Sequence, residues 1–339
     1  MLIDWVTARI PLDRLTPEAR TAALELGDRV CCYCPKTGLV RYETHRWESV
    51  RSDSHQISVR AGTDLWLQGS PARIIGNGCA VFGSGPSAAL DLIGCVQRMA
   101  AFVGSQLGVS LPPVTDAWLV SRVDITGNLA LDSLAEVRTA LAVLRDVEGG
   151  RYRVSQQAGD TVYWSHRSKL RSGKAYAKGP HLRYLMKNPK YDGHQYDAGD
   201  IALADNLLRL ELKLGREWFA RNPWKTATPA ALTAEWNNYF LRMIGGVEVD
   251  TDNDLQERII AAADTEGQGR AAFGCWVMIQ NEGWERAREF FSKTTWYRNL
   301  KILRAAGLGD ADISAGKVVP LRRRVMEARL ITDWSQIAA

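Results

Sequence analysis

From Leu208 to Leu214 leucine alternates with Arg209, Glu211 and Lys213. Successive side chains on a strand point to opposite faces, so this segment reads as a strand with four leucines on one face and three charges on the other. Two further segments carry the same signature. In Ser121 to Thr126 the side chains of Arg122, Asp124 and Thr126 share a face, and in Lys174 to Lys178 Tyr176 stands between Lys174 and Lys178. If the three strands share a sheet, one face of it gathers two carboxylates, a tyrosine and several cations. Alternation is also met by a solvated sheet face laced with cross-strand ion pairs, each worth about 0.2–1 kcal/mol.

The rest of the chain supplies the frame. With 339 residues, 46% hydrophobic and 24% charged, the composition excludes disordered, collagen-like and coiled-coil chains, and the length predicts two domains. Strands are predicted at Leu2 to Ile10, Gln56 to Arg60, Leu65 to Gln68, Leu119 to Thr126, Arg151 to Ser155, Thr161 to Ser165, Gly173 to Lys178 and Leu207 to Leu214, with a hairpin turn at Thr37-Gly38. Helical spacing runs from Pro86 to Leu107 with a stop at Gly108. Ser133 and Glu136 form a capping box for a helix to about Val147. Past Pro229 the pattern is helical. The expected architecture is an α+β unit over 1–220 and a mainly helical unit over 221–339.

The net charge of +5 hides its distribution. Residues 151–190 carry ten Lys and Arg against one acid, residues 267–339 carry twelve against seven, and an acidic stretch separates them. The first basic block is interleaved with Tyr152, Tyr163, Trp164, Tyr176 and Tyr184. Bases stack on aromatic rings while Lys and Arg meet phosphates, so this mixture suits nucleic acid. Its cations Arg167, Lys169 and Arg171, with Arg122, Arg209 and Lys213 on the alternating strands, are the expected DNA contacts. No apolar run reaches the roughly 20 residues that span a bilayer. The N-terminus has no basic n-region, and six cysteines do not make a disulfide scaffold, so a cytoplasmic setting is expected.

The charged face has the parts phosphodiester cleavage needs. Two carboxylates can hold Mg²⁺ or Mn²⁺ against a phosphate. A tyrosine hydroxyl can attack phosphorus and leave a phosphotyrosine, with flanking lysines favouring the phenolate. Nearer the C-terminus, Trp284 to Phe291 is a short helical run, and Ser292 caps a second helix that Gly307 stops. Read as a helix-turn-helix, its first turn offers Lys293, Thr294, Thr295, Tyr297 and Arg298 to a groove; read as an amphipathic core helix, it offers nothing. Arg322-Arg323-Arg324 is a phosphate clamp or a solvated turn. Cys31-Cys32-Tyr33-Cys34 lacks a second ligand pair at zinc spacing and reads as hairpin cysteines. The glycines of Gly76-Asn77-Gly78 and Gly83-Ser84-Gly85 lack the GK[ST] of a P-loop, and His166 and His181 read as structural hydrogen-bonders.

Seven short motifs then fall in a fixed order: Ser70-Pro71-Ala72-Arg73, Ala80-Val81-Phe82-Gly83, Ser121-Arg122-Val123-Asp124, Ala175-Tyr176-Ala177-Lys178, Leu208-Arg209-Leu210-Glu211, Thr294 to Leu300, and Val319-Pro320-Leu321. In this order, to about residue 325, the chain resembles the filamentous-phage replication initiators of the gene II/X protein family, relatives of plasmid rolling-circle initiators. The resemblance implies an antiparallel sheet with helices packed on one face, as in rolling-circle nucleases, followed by a helical DNA-binding unit. It implies a metal-dependent endonuclease and strand transferase that nicks duplex origin DNA, stays joined to the 5′-phosphate through tyrosine, and reseals the displaced single strand. Host helicase and polymerase are the partners it implies. Tyr176 takes the place of the nucleophile and Lys178 matches the lysine two residues on; Lys174, on the other side of Tyr176, is a further catalytic candidate that the resemblance does not require. Asp124 and Glu211 match acidic strand positions and, with Asp4, are the expected ligands of Mg²⁺ or Mn²⁺. The His-hydrophobic-His strand with which many rolling-circle initiators bind metal does not occur here. A non-catalytic phage regulator or single-strand-binding protein is the alternative from another class.

Overall fold

The computed structural model describes residues 1–26, 29–52, 55–74, 81–114, 117–145, 154–189, 191, 194–244, 252–315 and 330–337. Twelve strands occur among them: β1 (Leu2–Pro11), β2 (Arg29–Tyr33), β3 (Val40–His45), β4 (Glu48–Ser52), β5 (His55–Ala61), β6 (Asp64–Gly69), β7 (Leu119–Ala130), β8 (Val154–Ala158), β9 (Thr161–Trp164), β10 (Arg171–Ala177), β11 (Leu207–Leu214) and β12 (Leu330–Ile331). The helices are α1 (Pro17–Glu25), α2 (Leu92–Gln106), α3 (Leu134–Arg145), α4 (Lys178–Met186), α5 (Ala198–Asp205), α6 (Arg216–Phe219), α7 (Pro229–Ile244), α8 (Asp252–Ala261), α9 (Glu266–Glu282), α10 (Trp284–Glu289), α11 (Lys293–Ala305) and α12 (Asp310–Ala315).

One antiparallel sheet dominates, in the order β4-β5-β6-β1-β7-β11-β10-β9-β8, and β12 pairs with the end of β7 that β1 leaves free. The alternating leucines of β11 lie on its apolar face with Ile125 of β7, Ala175 of β10 and Val6 of β1. Against them pack Val96 and Met99 of α2, Val137 and Leu141 of α3, and Trp236 and Phe240 of α7. The fold is therefore the expected α+β arrangement on an antiparallel sheet, with α2, α3 and α7 packed on one face. The opposite face carries Asp4 of β1, Arg122 and Asp124 of β7, Lys174 of β10, and Arg209, Glu211 and Lys213 of β11. Over one end of it, α4 and α5 pack together around Leu182, Tyr196, Ala204 and Leu207.

Local chemistry explains where expectation and structure part. The helix expected from Pro86 begins at Leu92, because Leu90 sits in the left-handed region (φ 55°) and Asp91 caps the helix by accepting from the Gly94 N–H at 2.9 Å. Ser133 caps α3 by accepting from the Glu136 N–H at 3.2 Å, and the Glu136 carboxylate accepts from the Asp132 N–H at 3.3 Å. The strand expected to run through Lys178 stops at Ala177, and Lys178 opens α4. Pro180 has no N–H to give a ladder and its ring is preset for the first turn of a helix.

α7 begins past the boundary expected at residue 220, yet Leu232, Trp236, Tyr239 and Phe240 belong to the core of the sheet. A second cluster, separate from it, gathers Leu255 and Ile259 of α8, Trp276 and Ile279 of α9, Trp296, Leu300 and Leu303 of α11, and Ile313 of α12. No helix among the described residues is long and apolar enough to cross a membrane. Arg151 to Arg153, Gly76 to Gly78 and Arg322 to Arg324 lie outside the described residues.

Candidate nucleic-acid cleavage site

The three alternating strands are neighbours. β11 lies between β7 and β10, and the registers pair Lys174 with Glu211, Tyr176 with Arg209, Glu211 with Thr126, and Lys213 with Asp124. Their polar side chains meet on one face. The Tyr176 hydroxyl donates to Glu211 Oε1 at 2.7 Å. Lys174 Nζ lies 3.5 Å from Glu211 Oε2 and 3.9 Å from the Tyr176 ring centre, and Lys178 Nζ lies 5.8 Å from that centre. Beneath them Arg209 is fully buried. Its guanidinium lies 3.4 Å from Glu211 Oε1 and 3.2 Å from Asp4 Oδ1, and it donates to the Val81 carbonyl at 3.0 Å.

These contacts set the protonation states. Burial, reinforced by the Glu211 charge, raises the Tyr176 phenol well above its ordinary value. Burial would raise the Glu211 carboxyl too, but Lys174 and Arg209, with the Tyr176 hydrogen bond, outweigh it and hold it below the usual carboxylate range. The pair therefore rests as phenol and carboxylate, and the expectation that flanking lysines favour the phenolate is corrected: burial wins. Lys178 is brought down to about 7 by burial first and the charge of Arg209 second. His181, one turn along α4, packs its ring 4.9 Å from that of Tyr176. Burial and then the Lys178 charge lower it to about 3, so it is neutral at pH 7.

Two cavities open beside the Tyr176–Glu211 pair. One, of about 350 Å³, is lined by Asp4, Trp5, Tyr176, Lys178 and His181, with Ser70 and Arg73 from the end of β6. The other, of about 340 Å³, is lined by Lys174, Glu211, Lys213, Arg122, Asp124 and Tyr163. Together they bring a tyrosine hydroxyl, an adjacent carboxylate and several cations to the surface of one sheet, groups of the kind that in-line attack on a phosphodiester uses.

Several expected site residues land elsewhere. Arg209 is among the expected DNA contacts, but its complete burial gives it to the carboxylates instead. Arg171 lies on the helix-covered face and pairs with Glu235 of α7 at 2.6 Å. Arg122 is engaged by Asp124 at 2.5 Å, and Lys213 donates to the His166 carbonyl at 3.2 Å. Arg167 and Lys169 are exposed on the turn between β9 and β10. In the first two turns of α11, Lys293, Thr294, Tyr297 and Arg298 are exposed and Thr295 is half-buried, while Trp296, Leu300 and Leu303 face the core and Gly307 (φ 93°) follows the end of the helix. Cys31, Cys32 and Cys34 sit on the β2–β3 hairpin, as expected.

Asp4, Asp124 and Glu211 share the charged face, but each is held by a cation of this chain, and no group of three His, Cys, Asp or Glu suited to a metal occurs among the described residues. As a donor set they do not fit a divalent ion: Arg209 occupies the space between Asp4 and Glu211, and Arg122 engages both oxygens of Asp124. His181, Ser70 and Arg73 are the site residues that sequence reasoning missed. Pro180 was the available signal for His181, because ending the strand there puts residue 181 one helical turn from Lys178.

Fold and site together define a DNA-processing class of protein: an antiparallel sheet presenting a tyrosine, a carboxylate and cations on its open face. Comparison gives the family. Residues 2–238 match the family described as the N-terminal part of the phage gene II replication-associated protein. The chain belongs to that family, the filamentous-phage replication initiators related to plasmid rolling-circle initiators, as its seven ordered motifs predict. It is similar to the replication-associated protein of Enterobacteria phage I2-2, with 26% identity over 99% of this chain and 96% of that one. A solved rolling-circle replication initiator from Geobacillus stearothermophilus also matches, at 12% identity and a TM-score of 0.31, covering 74% of this chain and 88% of that one, too distant a likeness to bear on mechanism. Membership implies, in general terms, cleavage and transfer of DNA strands at the start of replication.

Proposed function

We propose that this protein nicks one strand of origin DNA through Tyr176, remains joined to the 5′-phosphate, and so primes rolling-circle synthesis. The observation that carries the reading is the 2.7 Å hydrogen bond from the Tyr176 hydroxyl to the Glu211 carboxylate beside a cavity walled by Lys178. In the first transfer the phenolic oxygen attacks phosphorus and its proton passes to Glu211. The bond from phosphorus to the 3′-oxygen breaks, and Lys178 gives that oxygen its proton. Resealing runs the same steps backward: the 3′-hydroxyl returns its proton to Lys178, and the phenolate leaves with the proton held by Glu211. Lys174, Arg209 and Lys178 surround the pair, so negative charge is met by the same cations whether it sits on the carboxylate or on the phenolate. Rolling-circle initiators as a class depend on a divalent metal; the donor set here is committed to arginine and lysine, and no step above passes through an ion.

The helical residues from α8 onward have their own core, and we assign them the recognition of duplex DNA, with the exposed first turn of α11 as the reading element. The dividing point in this reading falls between α7 and α8 rather than at residue 220.

The test incubates supercoiled phage origin DNA with Mg²⁺ or Mn²⁺ and either wild-type protein or Tyr176→Phe. Nicked circles and a protein–DNA adduct stable to denaturant are expected with the wild type alone. Nicking that survives in Tyr176→Phe removes the nucleophile, and origin binding without nicking by either protein favours a non-catalytic regulator.

A further inference from the structure

The Ser70-Pro71-Ala72-Arg73 turn belongs to the family resemblance but takes no part in the tyrosine chemistry above. It follows β6 as a single 3-10 turn, in which the Arg73 N–H donates to the Ser70 carbonyl at 3.1 Å. Ser70 is only 8% exposed, and its hydroxyl has no hydrogen-bond partner among the described residues. Buried hydroxyls are nearly always satisfied, so an orphan that lines a cavity is open to a hydrogen bond with what fills it, water or ligand. Arg73 lines the same cavity, and no carboxylate pairs with it among the described residues. A hydroxyl donor and a guanidinium with no carboxylate partner among the described residues, three positions apart on one turn, are complementary to a phosphate oxygen.

Position says which phosphate. β1, β7 and β11 separate β6 from β10. At about 4.8 Å per strand, the turn starts about 19 Å across the sheet from the backbone of Tyr176. It therefore addresses the bound strand to one side of the reacting phosphorus. Trp5 lines the stretch of cavity between them, a surface on which a base can stack.

We propose that Ser70 and Arg73 form a subsite for a phosphodiester of single-stranded DNA flanking the one that is cleaved. The Ser70 hydroxyl donates to one non-bridging oxygen and the Arg73 guanidinium to the other, which fixes the register of the strand before Tyr176 attacks. The subsite rests on the strand-cleavage reading for the identity of its ligand.

The experiment measures binding of a labelled single-stranded oligonucleotide from the phage origin by fluorescence anisotropy. It uses the full chain carrying Tyr176→Phe, so that no adduct forms. Arg73→Gln is expected to weaken binding about tenfold and to reduce the salt slope, d log K against d log [salt], by about 0.7, the share of one phosphate on a single strand. A scan of neutral methylphosphonates, one per position, should cost the parent protein affinity at one phosphate beside the nick. Arg73→Gln and the near-isosteric Ser70→Ala should be indifferent at that same position. Variants that keep the parent's slope and scan overturn the subsite and leave the cleavage reading standing. Failure of the parent protein to bind the oligonucleotide overturns both.

Discussion

Replacing Glu211 by Gln sets two effects of opposite sign against each other, and the structure says which wins. The Glu211 charge is one reason the Tyr176 phenol is raised, so neutralising it makes the phenolate easier to form. If Glu211 acted only as a nearby charge, Glu211→Gln would speed attack. But the carboxylate accepts the phenolic proton at 2.7 Å, within the range of a charge-assisted O–H···O bond, and an amide in its place cannot take that proton. Loss of a positioned base costs about 10²–10⁴ in rate, or about 3–5 kcal/mol of barrier. Burial is the larger cause of the raised phenol and persists in the variant, so relief of the smaller cause does not offset the lost base. The expected result is a fall of at least about a hundredfold in single-turnover adduct formation on a single-stranded oligonucleotide at pH 7. Binding of the oligonucleotide should change little. Arg209 keeps Asp4 and the Val81 carbonyl as partners, so the fold should survive, which a thermal melt checks. Adduct formation as fast as wild type, or faster, in a variant that melts normally would refute the general-base assignment.

Other outcomes follow from the same contacts. With Lys178 at about 7 and acting as the acid for the 3′-oxygen, nicking should decline as pH rises through 7, while resealing, which needs the neutral amine, should rise; rates at pH 6 and 8.5 test both. Lys178 also ties stability to pH. Its folded value lies below the unfolded value of 10.5, so between about 7 and 10.5 the unfolded chain binds more protons and stability should rise with pH; Lys178→Met should flatten that rise in urea titrations at pH 7 and 9.5. A Cβ on Gly173 would fall 2.5 Å from Tyr239 Cε1 and 3.1 Å from Trp164, so Gly173→Ala should destabilise the sheet by about 1–3 kcal/mol in chemical denaturation. Lys293→Gln with Arg298→Gln should weaken duplex-origin binding in gel shifts while leaving cleavage of a single-stranded oligonucleotide intact. Equal loss of both activities would move α11 out of the reading role.

How much of the site is legible depends on what period-2 alternation can carry. It puts Arg122, Asp124, Lys174, Tyr176, Arg209, Glu211 and Lys213 on the face where the structure has them, because a strand's pleat fixes the face of every side chain once one is fixed. Arg171, three residues before Lys174, shows the limit: the same rule puts that arginine on the apolar face, but its charge and its place in a basic block argue for DNA. Alternation says nothing of depth, so Arg209 and Lys213 look equivalent in sequence, although the first is wholly buried and the second reaches a loop carbonyl. Depth comes from what covers the face, and here the cover is α4, whose start at Lys178 is hidden inside a predicted strand.

The burial of Arg209 decides more of the chemistry than any exposed cation. A full charge below the sheet surface is tolerable only where charges and hydrogen bonds compensate it, and Asp4, Glu211 and the Val81 carbonyl do so. The arrangement keeps Glu211 ionised although burial alone would protonate it, and an ionised Glu211 is what can accept a proton from Tyr176. The same guanidinium charge helps bring Lys178 down to about 7, where an amine both gives and takes protons at neutral pH. In the proposed mechanism one buried arginine thus separates the roles of two flanking groups, Glu211 as base on the strand beside Tyr176 and Lys178 as acid on the helix after it. Two steps that reverse one another, nicking and resealing, need both.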